Sequence, residues 1–347
     1  MHLRLFLPAA PSHAGGGHAY DRQLLAGLRA EGHEAEVVPL AGTHPLPDPA
    51  AFAAAAAAWA ACRAETKVLI DGLALAAFEP LADALAARGA AVLVHHPTAL
   101  PPGHDEADHA RLRAAEQRLL PRLPRVVATS ETTARLLGDA FGVEPTRLAV
   151  LPPGFGAARR SPGSGGPACH ILSIGALTPR KGHDILLHAL ARLFDLPWHL
   201  TLVGTPDRHP AHAAALHALA TELGIAGQVT FAGVPEDTAL EALWDRTDLF
   251  ALATHWEANA WATMQAFRHG VPAVLTEGGA AAAAITLQNG IVVPPGEAAL
   301  LSRALRRAIF DTRLRAALAE AAWETGRALP GWPEQARRLV ALLPTPA

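Results

Sequence analysis

Short apolar runs alternate with alanine- and leucine-rich helical stretches along most of the chain, and no other feature constrains the fold as strongly. Strands and helices that alternate in this way predict parallel sheets covered by helices on both faces. The predicted strands are Leu3–Leu7, Val37–Leu40, Val68–Ile70, Ala91–Val94, Val126–Ala128, Leu148–Leu151, Ile171–Ile174, Leu200–Val203, Val229–Phe231, Leu249–Ala251, Ala273–Leu275 and Ile291–Val293. In the first half, the predicted helices are Ala50–Arg63, Ala74–Arg88, Glu106–Leu120 and Glu131–Phe141.

The length of 347 residues is too great for one typical hydrophobic core and indicates two domains. We place the first domain at 1–155 and the second at 169–329. Between them, 156–168 is rich in serine, glycine and proline and is predicted to be a linker. A final helix is predicted within 330–347.

Composition excludes several classes of function. A net charge of −3 argues against general nucleic-acid binding. No apolar segment is long enough to span a bilayer, and Leu3–Leu7 is followed at once by prolines, which is unlike a signal peptide. We therefore expect a soluble, cytoplasmic protein. Cys62 and Cys169 form no disulfide or metal pattern, and the 18 histidines include no HExxH motif, so neither a metal nor a cofactor is expected.

The stretch ILSIGALTPRKGHDILLHALARL, Ile171–Leu193, has its structural elements in the order found at phosphate-binding sites. A buried strand is followed by a cationic loop with Arg180 and Lys181, and then by an amphipathic helix. Backbone N–H groups and the positive end of the helix dipole would face that loop. The alternative is an ordinary turn with two solvated cations. In either case we expect Lys181 to be solvated when no anion is bound.

Two other loops follow predicted strands. Gly15, Gly16 and Gly17 lie after the first strand and would let backbone amides approach a ligand, although the GxGxxG fingerprint is absent. A flexible turn without a ligand is the alternative. His95 and His96 follow the fourth strand, where ligands of parallel sheets bind. A histidine there can act as a general base, or it can be a simple hydrogen-bonding residue.

The segment THWEANAWATMQAFRHGVPAV, Thr254–Val274, is the second stretch whose side chains could take part in binding or catalysis. Glu257 lies between the end of a strand and the start of a helix. Alone, it could be a charge stabilised by the helix dipole.

Several of these segments together resemble family 4 of the nucleotide-sugar glycosyltransferases. The resemblance rests on GALTPRKGHDILLHAL, GGGHAYDRQLLAGLRAEGHEAEVV, VLVHHP, the Thr254–Val274 segment, VLPPG and IVVPPGEAALLSRAL. It implies a GT-B architecture, in which two Rossmann-like domains face each other and a C-terminal helix crosses back to the first. It also implies retaining, metal-independent transfer of a hexose from a UDP- or GDP-linked sugar.

The resemblance also assigns roles to residues. Lys181 binds the donor diphosphate, and Arg180 replaces an arginine that many members carry where this chain has Ala176. Gly16 and Gly17 meet the donor through the backbone. A histidine near the transferred sugar corresponds to His96 rather than His95, although the two are hard to separate.

The acidic loop departs from the family pattern. Glu257 matches a carboxylate placed at the transferred sugar, but Gln265 stands where a second glutamate binds the nucleotide ribose. Asn259, on the donor side, and its neighbours Ala258 and Ala260 replace the usual glycines. Gln265 can still bind hydroxyls but carries no charge, so these changes bear on the sugar accepted and on activity itself.

Alternative functions remain at this point. A nucleotide-sugar epimerase can share the layout, and a catalytically silent sugar-nucleotide-binding relative would explain Gln265. A periplasmic-type solute-binding protein is disfavoured by the absence of an export signal. The acceptor is an unidentified glycan, lipid or small molecule. Peripheral contact with an anionic membrane is one interpretation of a basic set, and a solvated helix face is the other; the set comprises Arg111, Arg113, Arg118, Arg122 and Arg125.

Overall fold

The computed structural model describes residues 1–9, 16–100 and 105–344, and the chain divides into two compact units. Unit 1 comprises Met1–Gly154 together with Pro330–Ala347, and unit 2 comprises Phe155–Leu329. Each unit is built around one six-stranded parallel sheet, as the alternation of strands and helices predicted.

Unit 1 has the strand order β2-β1-β3-β4-β5-β6. The strands are β1 His2–Pro8, β2 Glu34–Leu40, β3 Lys67–Asp71, β4 Ala91–Val94, β5 Arg125–Ala128 and β6 Leu148–Val150. The helices are α1 Gly16–Ala30, α2 Pro49–Ala60, α3 Ala82–Ala87, α4 Glu106–Leu119 and α5 Glu131–Phe141. Every residue of β4 is buried, as expected of a central strand covered on both faces.

Local signals explain where the helices of unit 1 begin and end. Ser130 caps α5 by accepting a hydrogen bond from the backbone N–H of Thr133 at 3.0 Å, and Gly142 ends this helix at a φ of 69°. One prediction was wrong, because a stretch predicted to be a single helix forms two elements. The stretch Ala74–Arg88 forms a 3₁₀ turn, Leu75–Leu81, before α3, because Pro80 has no N–H to continue an α-helix.

Unit 2 has the strand order β12-β11-β10-β7-β8-β9. The strands are β7 Cys169–Ile174, β8 Trp198–Val203, β9 Val229–Gly233, β10 Leu249–Leu252, β11 Ala273–Thr276 and β12 Gly290–Val293. The helices are α6 His183–Ala191, α7 Pro210–Glu222, α8 Asp237–Trp244, α9 Trp261–Arg268, α10 Ala280–Ala283, α11 Ala298–Phe310 and α12 Thr312–Arg327.

The final helix, α13 Trp332–Leu342, belongs to unit 1, although it follows unit 2 in the chain. Trp332 packs edge-to-face on Tyr20 of α1, with ring centroids 5.2 Å apart. Gln335 donates a hydrogen bond to the carbonyl oxygen of Pro152, and Arg337 pairs with Glu31 at 2.7 Å. The C-terminal helix therefore returns to the first unit, as the resemblance implied.

The predicted linker has no helix or strand between residues 151 and 165, but it is held against unit 2. The N–H of Ser161 donates to the carbonyl oxygen of His269 at 2.8 Å, and the N–H of Ser164 donates to Asp248 Oδ1 at 3.1 Å. Cys62 and Cys169 are both free thiols. Among the helices in the described part of the chain, none combines the length and apolar character that crossing a membrane requires.

Candidate functional site

The cationic loop of unit 2 is a tight turn between β7 and α6. A 3₁₀ turn covers Pro179–Lys181, and Gly182 follows at a φ of 61°, a left-handed conformation that favours glycine. A Cβ atom on Gly182 would lie 2.1 Å from the carbonyl oxygen of Ala253, just after β10. A larger residue would therefore separate the loop from the end of β10.

The loop after β10 brings Glu257 to the two cations. Lys181 Nζ donates to Glu257 Oε1, and Arg180 Nη1 lies 3.5 Å from the same oxygen. Exposed fractions are 13% for the side chains of Lys181 and Glu257 and 29% for that of Arg180. The structure thus brings together three of the site residues that the sequence predicted. It also corrects one expectation, because Lys181 is paired and mostly buried rather than solvated.

Backbone contacts fix the position of Glu257. Its N–H donates to the carbonyl oxygen of Gly278 at 3.0 Å, and its own carbonyl oxygen accepts from the N–H of Ala280 at 2.8 Å. Thr254, a buried residue that sequence analysis missed, places its hydroxyl 3.1 Å from Glu257 Oε1. Arg180 also donates to the carbonyl oxygen of Trp256. The carboxylate is therefore held by both loops, and the backbone of Glu257 is held by the segment after β11.

The charges of this cluster oppose the effect of burial. Burial alone would raise the pKa of Glu257, but the neighbouring cations Lys181 and Arg180 lower it below its usual value. Burial lowers the pKa of Lys181, and the charge of Glu257 offsets this only in part. In this cluster one anion, Glu257, faces two cations, so an anionic ligand at Lys181 has to compete with Glu257.

His183 is a further buried residue of this region that sequence reasoning missed. Its Nε2–H donates to the carbonyl oxygen of Gly175 at 3.2 Å, which joins the two ends of the cationic loop, and the residue is 1% exposed. Burial lowers the pKa of His183 to about 4, with help from the charge of Lys181. The neutral imidazole therefore ties the start of α6 to the end of β7.

Asn259 and Gln265, two of the predicted donor-binding residues, already have partners. Asn259 Oδ1 accepts from the N–H of Trp261 at 3.1 Å and so supports the start of α9. Gln265 Oε1 accepts from Arg268 Nη1 at 2.9 Å, and Arg268 also lies 3.4 Å from Glu241. Gln265 is thus held within unit 2 by an arginine that the sequence analysis did not consider.

In unit 1, the glycine loop differs from prediction. Gly15 lies outside the described residues, whereas Gly16 and Gly17 belong to the first turn of α1 rather than to a loop. Their backbone amides are therefore at a helix N-terminus, where unsatisfied donors occur. A Cβ on Gly17 would lie 3.1 Å from His95 Cδ2, so α1 and the loop after β4 approach closely here.

The two adjacent histidines have different environments. His95 is 9% exposed, and its Nε2 lies 3.0 Å from Asp21 Oδ1. His96 is half-buried, and its Nδ1 lies 3.2 Å from the carbonyl oxygen of Pro97. Of the two, His96 is the more accessible to a ligand.

A buried cluster in unit 1 was missed because its members are far apart in sequence. Asp21 on α1, Asp71 at the end of β3 and His95 after β4 place ligand-type atoms within 4.8 Å of one another. Burial and the neighbouring Asp21 raise the pKa of Asp71 to about 7. Burial opposes protonation of His95, but the charge of Asp21 outweighs it and raises the pKa.

The basic set of unit 1 is largely matched by other groups. Arg111 pairs with Asp108 at 3.2 Å, Arg118 with Glu79 at 2.7 Å, and Arg122 with Asp83. Arg125 donates to the carbonyl oxygen of Leu342, and Arg113 lies over the ring of Phe141. These partners favour a solvated, locally neutralised face over a membrane-binding one.

Solved structures share the whole fold. The chain superposes on sucrose-phosphate synthase from Thermosynechococcus elongatus with a TM-score of 0.81 at 18% identity, covering 98% of this chain and 97% of that one. Anabaena HepE, solved in complex with UDP and glucose, gives 0.79 at 20% identity over 99% of both chains. Both are GT-B glycosyltransferase structures, and at these identities the likeness shows the fold alone.

Curated relatives are similar in sequence over part of their length. A D-inositol 3-phosphate glycosyltransferase from Salinispora arenicola is 29% identical over 231 residues, which are 60% of this chain and 52% of that protein. A protein of the same name from Acidothermus cellulolyticus is 35% identical over 98 residues, or 24% of this chain and 22% of that one. The chain thus matches at most about half the length of these relatives.

Two family models match adjacent parts of the chain. The model described as Glycosyltransferase Family 4 matches residues 14–159, and the one described as Glycosyl transferases group 1 matches residues 157–325. Between them they cover every strand of both sheets except β1, and also the loops that carry Lys181 and Glu257. The chain therefore belongs to glycosyltransferase family 4.

Proposed function

We propose that this protein is a retaining glycosyltransferase that moves a hexose from a UDP- or GDP-linked sugar to an acceptor hydroxyl. The observation that carries the proposal is the meeting of Arg180, Lys181 and Glu257 at the carboxyl ends of β7 and β10. Open parallel sheets bind their ligands beyond these strand ends. HepE, a structural relative, was solved with UDP and with UDP-glucose, which supports the donor class.

In the proposed reaction, the bond between the anomeric carbon and the diphosphate oxygen breaks. A bond to the acceptor oxygen forms on the same face, and the acceptor proton passes to the diphosphate. Negative charge therefore builds on the leaving group, and preorganised cations stabilise such charge. Arg180 and Lys181 supply the positive charge that stabilises the leaving diphosphate, so we propose that it needs no metal ion.

Binding of the donor changes the partner of Lys181. In the structure Lys181 is paired with Glu257. A diphosphate offers a stronger anion, so Lys181 turns to it and Glu257 is released to orient the transferred sugar and stabilise its developing positive charge. Thr254 and the backbone contacts of Glu257 keep the carboxylate in place during this exchange.

The remaining residues keep the roles that the resemblance gives them. Gln265 binds the ribose hydroxyls, and Asn259 supports the donor side. Gly16 and Gly17 offer backbone amides, and His96 binds a sugar hydroxyl or helps to take the acceptor proton. We propose a cytoplasmic location and leave the acceptor unspecified.

A screen of nucleotide sugars tests the donor class. UDP-glucose, UDP-N-acetylglucosamine and GDP-mannose are compared with NAD and ATP by thermal shift. A ligand at a hundred times its dissociation constant adds about 2.7 kcal/mol to the free energy of unfolding. Equal or stronger stabilisation by NAD would contradict the proposal.

Assay of the stabilising donor then separates the activities. Release of UDP or GDP that depends on an added acceptor supports transfer. Conversion of the donor to its epimer, without release, would identify an epimerase. Binding without any turnover would identify a catalytically silent relative. The presence of Gln265 where the family has a second glutamate would explain such a loss of activity.

A further inference from the structure

Two large aromatic side chains of unit 2 are exposed at the edge of the sheet opposite to the candidate site. Phe194 is 89% exposed and Phe310 is 75% exposed. Phe194 lies between the end of α6 and the start of β8, at the amino edge of the sheet, and Phe310 is the last residue of α11. We propose that residues 192–197 and 303–313, together called the Phe194–Phe310 surface, dock on an anionic lipid membrane.

An ion pair holds the two segments of this surface together. Asp195, the neighbour of Phe194, accepts hydrogen bonds from Arg306 Nη2 at 2.6 Å and from Arg306 Nη1 at 2.7 Å. Phe310 follows Arg306 by four residues on α11, so their side chains share one face of that helix. The opposite face of α11 packs into the core of unit 2. A single exposed apolar residue needs no explanation, but two aromatic rings beside one ion pair indicate an interaction surface.

The charge around the two rings is positive, although the whole chain carries −3. The two segments hold five arginines and two aspartates, which gives the surface a net charge of +3. Asp195 is matched by Arg306, and Asp311 caps α12 by accepting from the N–H of Leu314 at 2.9 Å. The other four arginines are exposed, and none pairs with a carboxylate in the described part of the chain; they are Arg192, Arg303, Arg307 and Arg313.

An anionic membrane complements both properties of the surface. Phenyl rings can enter the boundary between headgroups and acyl chains, while the long arginine side chains reach the phosphates of the headgroups. The basic set of unit 1 lacks this free charge, because Arg111, Arg118 and Arg122 each pair with a carboxylate of their own unit. The charge available to an anionic lipid is therefore greater at the Phe194–Phe310 surface.

A second copy of this chain fits the surface less well. A two-fold dimer places the same patch of each copy against the other. The unpaired arginines of one copy would then face those of its partner, and like charges that meet at an interface oppose association. A lipid surface of opposite charge has no such cost.

The position of the surface keeps docking separate from the candidate site. Helix α6 has 9 residues and rises about 1.5 Å for each, so about 14 Å of helix separates Phe194 from the cationic loop. Substitutions at Phe194 and Phe310 should therefore leave the binding of UDP and GDP unchanged. The inference concerns unit 2 alone and does not depend on the proposed sugar transfer.

The test is co-sedimentation of the full chain, without an affinity tag, with lipid vesicles. Vesicles of phosphatidylcholine and phosphatidylglycerol in equal parts are compared with vesicles of phosphatidylcholine alone. The chain should bind only the anionic vesicles, and added salt should weaken binding because it screens exposed charges. Phe194→Ala and Phe310→Ala should each weaken binding about tenfold. Arg303→Gln and Arg307→Gln should each weaken it about fivefold.

The matched controls are Val234→Ala and Arg208→Gln, because both residues are exposed and follow the carboxyl ends of β9 and β8. These controls should bind vesicles as tightly as the unmodified chain. Equally tight binding by the two phenylalanine variants would place the lipid contact elsewhere and overturn the proposal. It also fails if the unmodified chain binds neither kind of vesicle, or binds both kinds equally, and these outcomes do not require any variant to fold. A dimer of the unmodified chain that the phenylalanine variants lose would assign the surface to a second copy instead.

Discussion

Lys181 and Glu257 form an ion pair in which each side chain keeps only 13% of its surface exposed. The pair joins the cationic loop after β7 to the acidic loop after β10, and Arg180 lies 3.5 Å from the same carboxylate. It has a structural and a binding consequence. Each loop is held by the other when no ligand is present, and an incoming anion has to replace Glu257.

The structural consequence predicts that Lys181→Ala destabilises the ligand-free protein. Removing one partner of a fully buried pair costs about 3–5 kcal/mol, because the other charge stays buried and unpaired. Arg180 remains near Glu257 and the site is partly exposed, so we expect a loss of about 2 kcal/mol, below that range. Chemical denaturation measures it. A free energy of unfolding equal to that of the unmodified protein would show that the pair does not hold the loops.

The binding consequence predicts that Lys181→Ala binds UDP and GDP more weakly. Losing one partner of a buried charge pair costs about 2–5 kcal/mol, which corresponds to tens- to thousands-fold in affinity at about 1.4 kcal/mol per factor of ten. Arg313→Ala, an exposed cation of unit 2, is the control. If Lys181→Ala binds both nucleotides as tightly as this control, the loop is not a phosphate site.

Glu257→Gln should have opposite effects on binding and on turnover. The amide competes less strongly for Lys181 and Arg180, so UDP affinity should rise, by about tenfold for a gain of about 1.4 kcal/mol. Transfer should be lost, because the developing charge on the sugar no longer faces a carboxylate. Calorimetry and a donor-consumption assay measure the two effects. Weaker UDP binding in a folded variant would exclude Glu257 as a competitor of the diphosphate.

Gln265→Glu should keep the fold and tighten donor binding. A carboxylate makes stronger hydrogen bonds to ribose hydroxyls than an amide does. Arg268 Nη1 already lies 2.9 Å from Gln265 Oε1, so the new charge has a partner. The dissociation constant for the stabilising nucleotide sugar should fall several-fold, and the constant for inorganic diphosphate, which has no ribose, should not change. A parallel change in both constants would mean that residue 265 does not contact ribose.

Sequence patterns predicted the strands because each buried parallel strand is a short apolar run bounded by loops. They also located Arg180, Lys181 and Glu257, since these residues lie in loops that directly follow strands. The same reasoning failed where distant segments meet. Burial of Lys181 depends on Glu257, 76 positions away, and no local pattern contains that pairing.

The missed residues have the same physical origin. Asp21 and His95 are 74 positions apart, and each looks like an ordinary helix or loop residue when taken alone. The contact exists because β1, β3 and β4 are neighbours in the sheet, which brings the segments after them to one edge. Strand order is a tertiary property, so only the structure reveals the cluster. Pro80 was a local signal that the sequence contained, and the 3₁₀ turn at Leu75–Leu81 could have been predicted from it.

The last prediction concerns acid stability and rests on His183. Its pKa is about 4 in the folded protein, because the residue is buried beside Lys181. In the unfolded chain a histidine has a pKa of about 6.5. Between these two values the unfolded chain binds a proton that the folded protein does not bind. Lowering the pH through this range therefore favours unfolding, and raising the pH restores stability.

Lowering this pKa from about 6.5 to about 4 corresponds to about 3 kcal/mol in the free energy of unfolding, at 1.36 kcal/mol for each pKa unit, and the loss is fully expressed near pH 4. The comparison variant is His183→Gln, which keeps a side-chain donor for the carbonyl oxygen of Gly175 but does not titrate. The free energy of unfolding of the unmodified protein, minus that of this variant, should fall steadily from pH 6.5 to pH 4.5. His188→Gln, at an exposed position of the same helix, should give a difference that does not vary with pH. A constant difference for His183→Gln as well would mean that the imidazole is charged or solvated in the folded protein, and so does not tie β7 to α6 as a buried neutral donor.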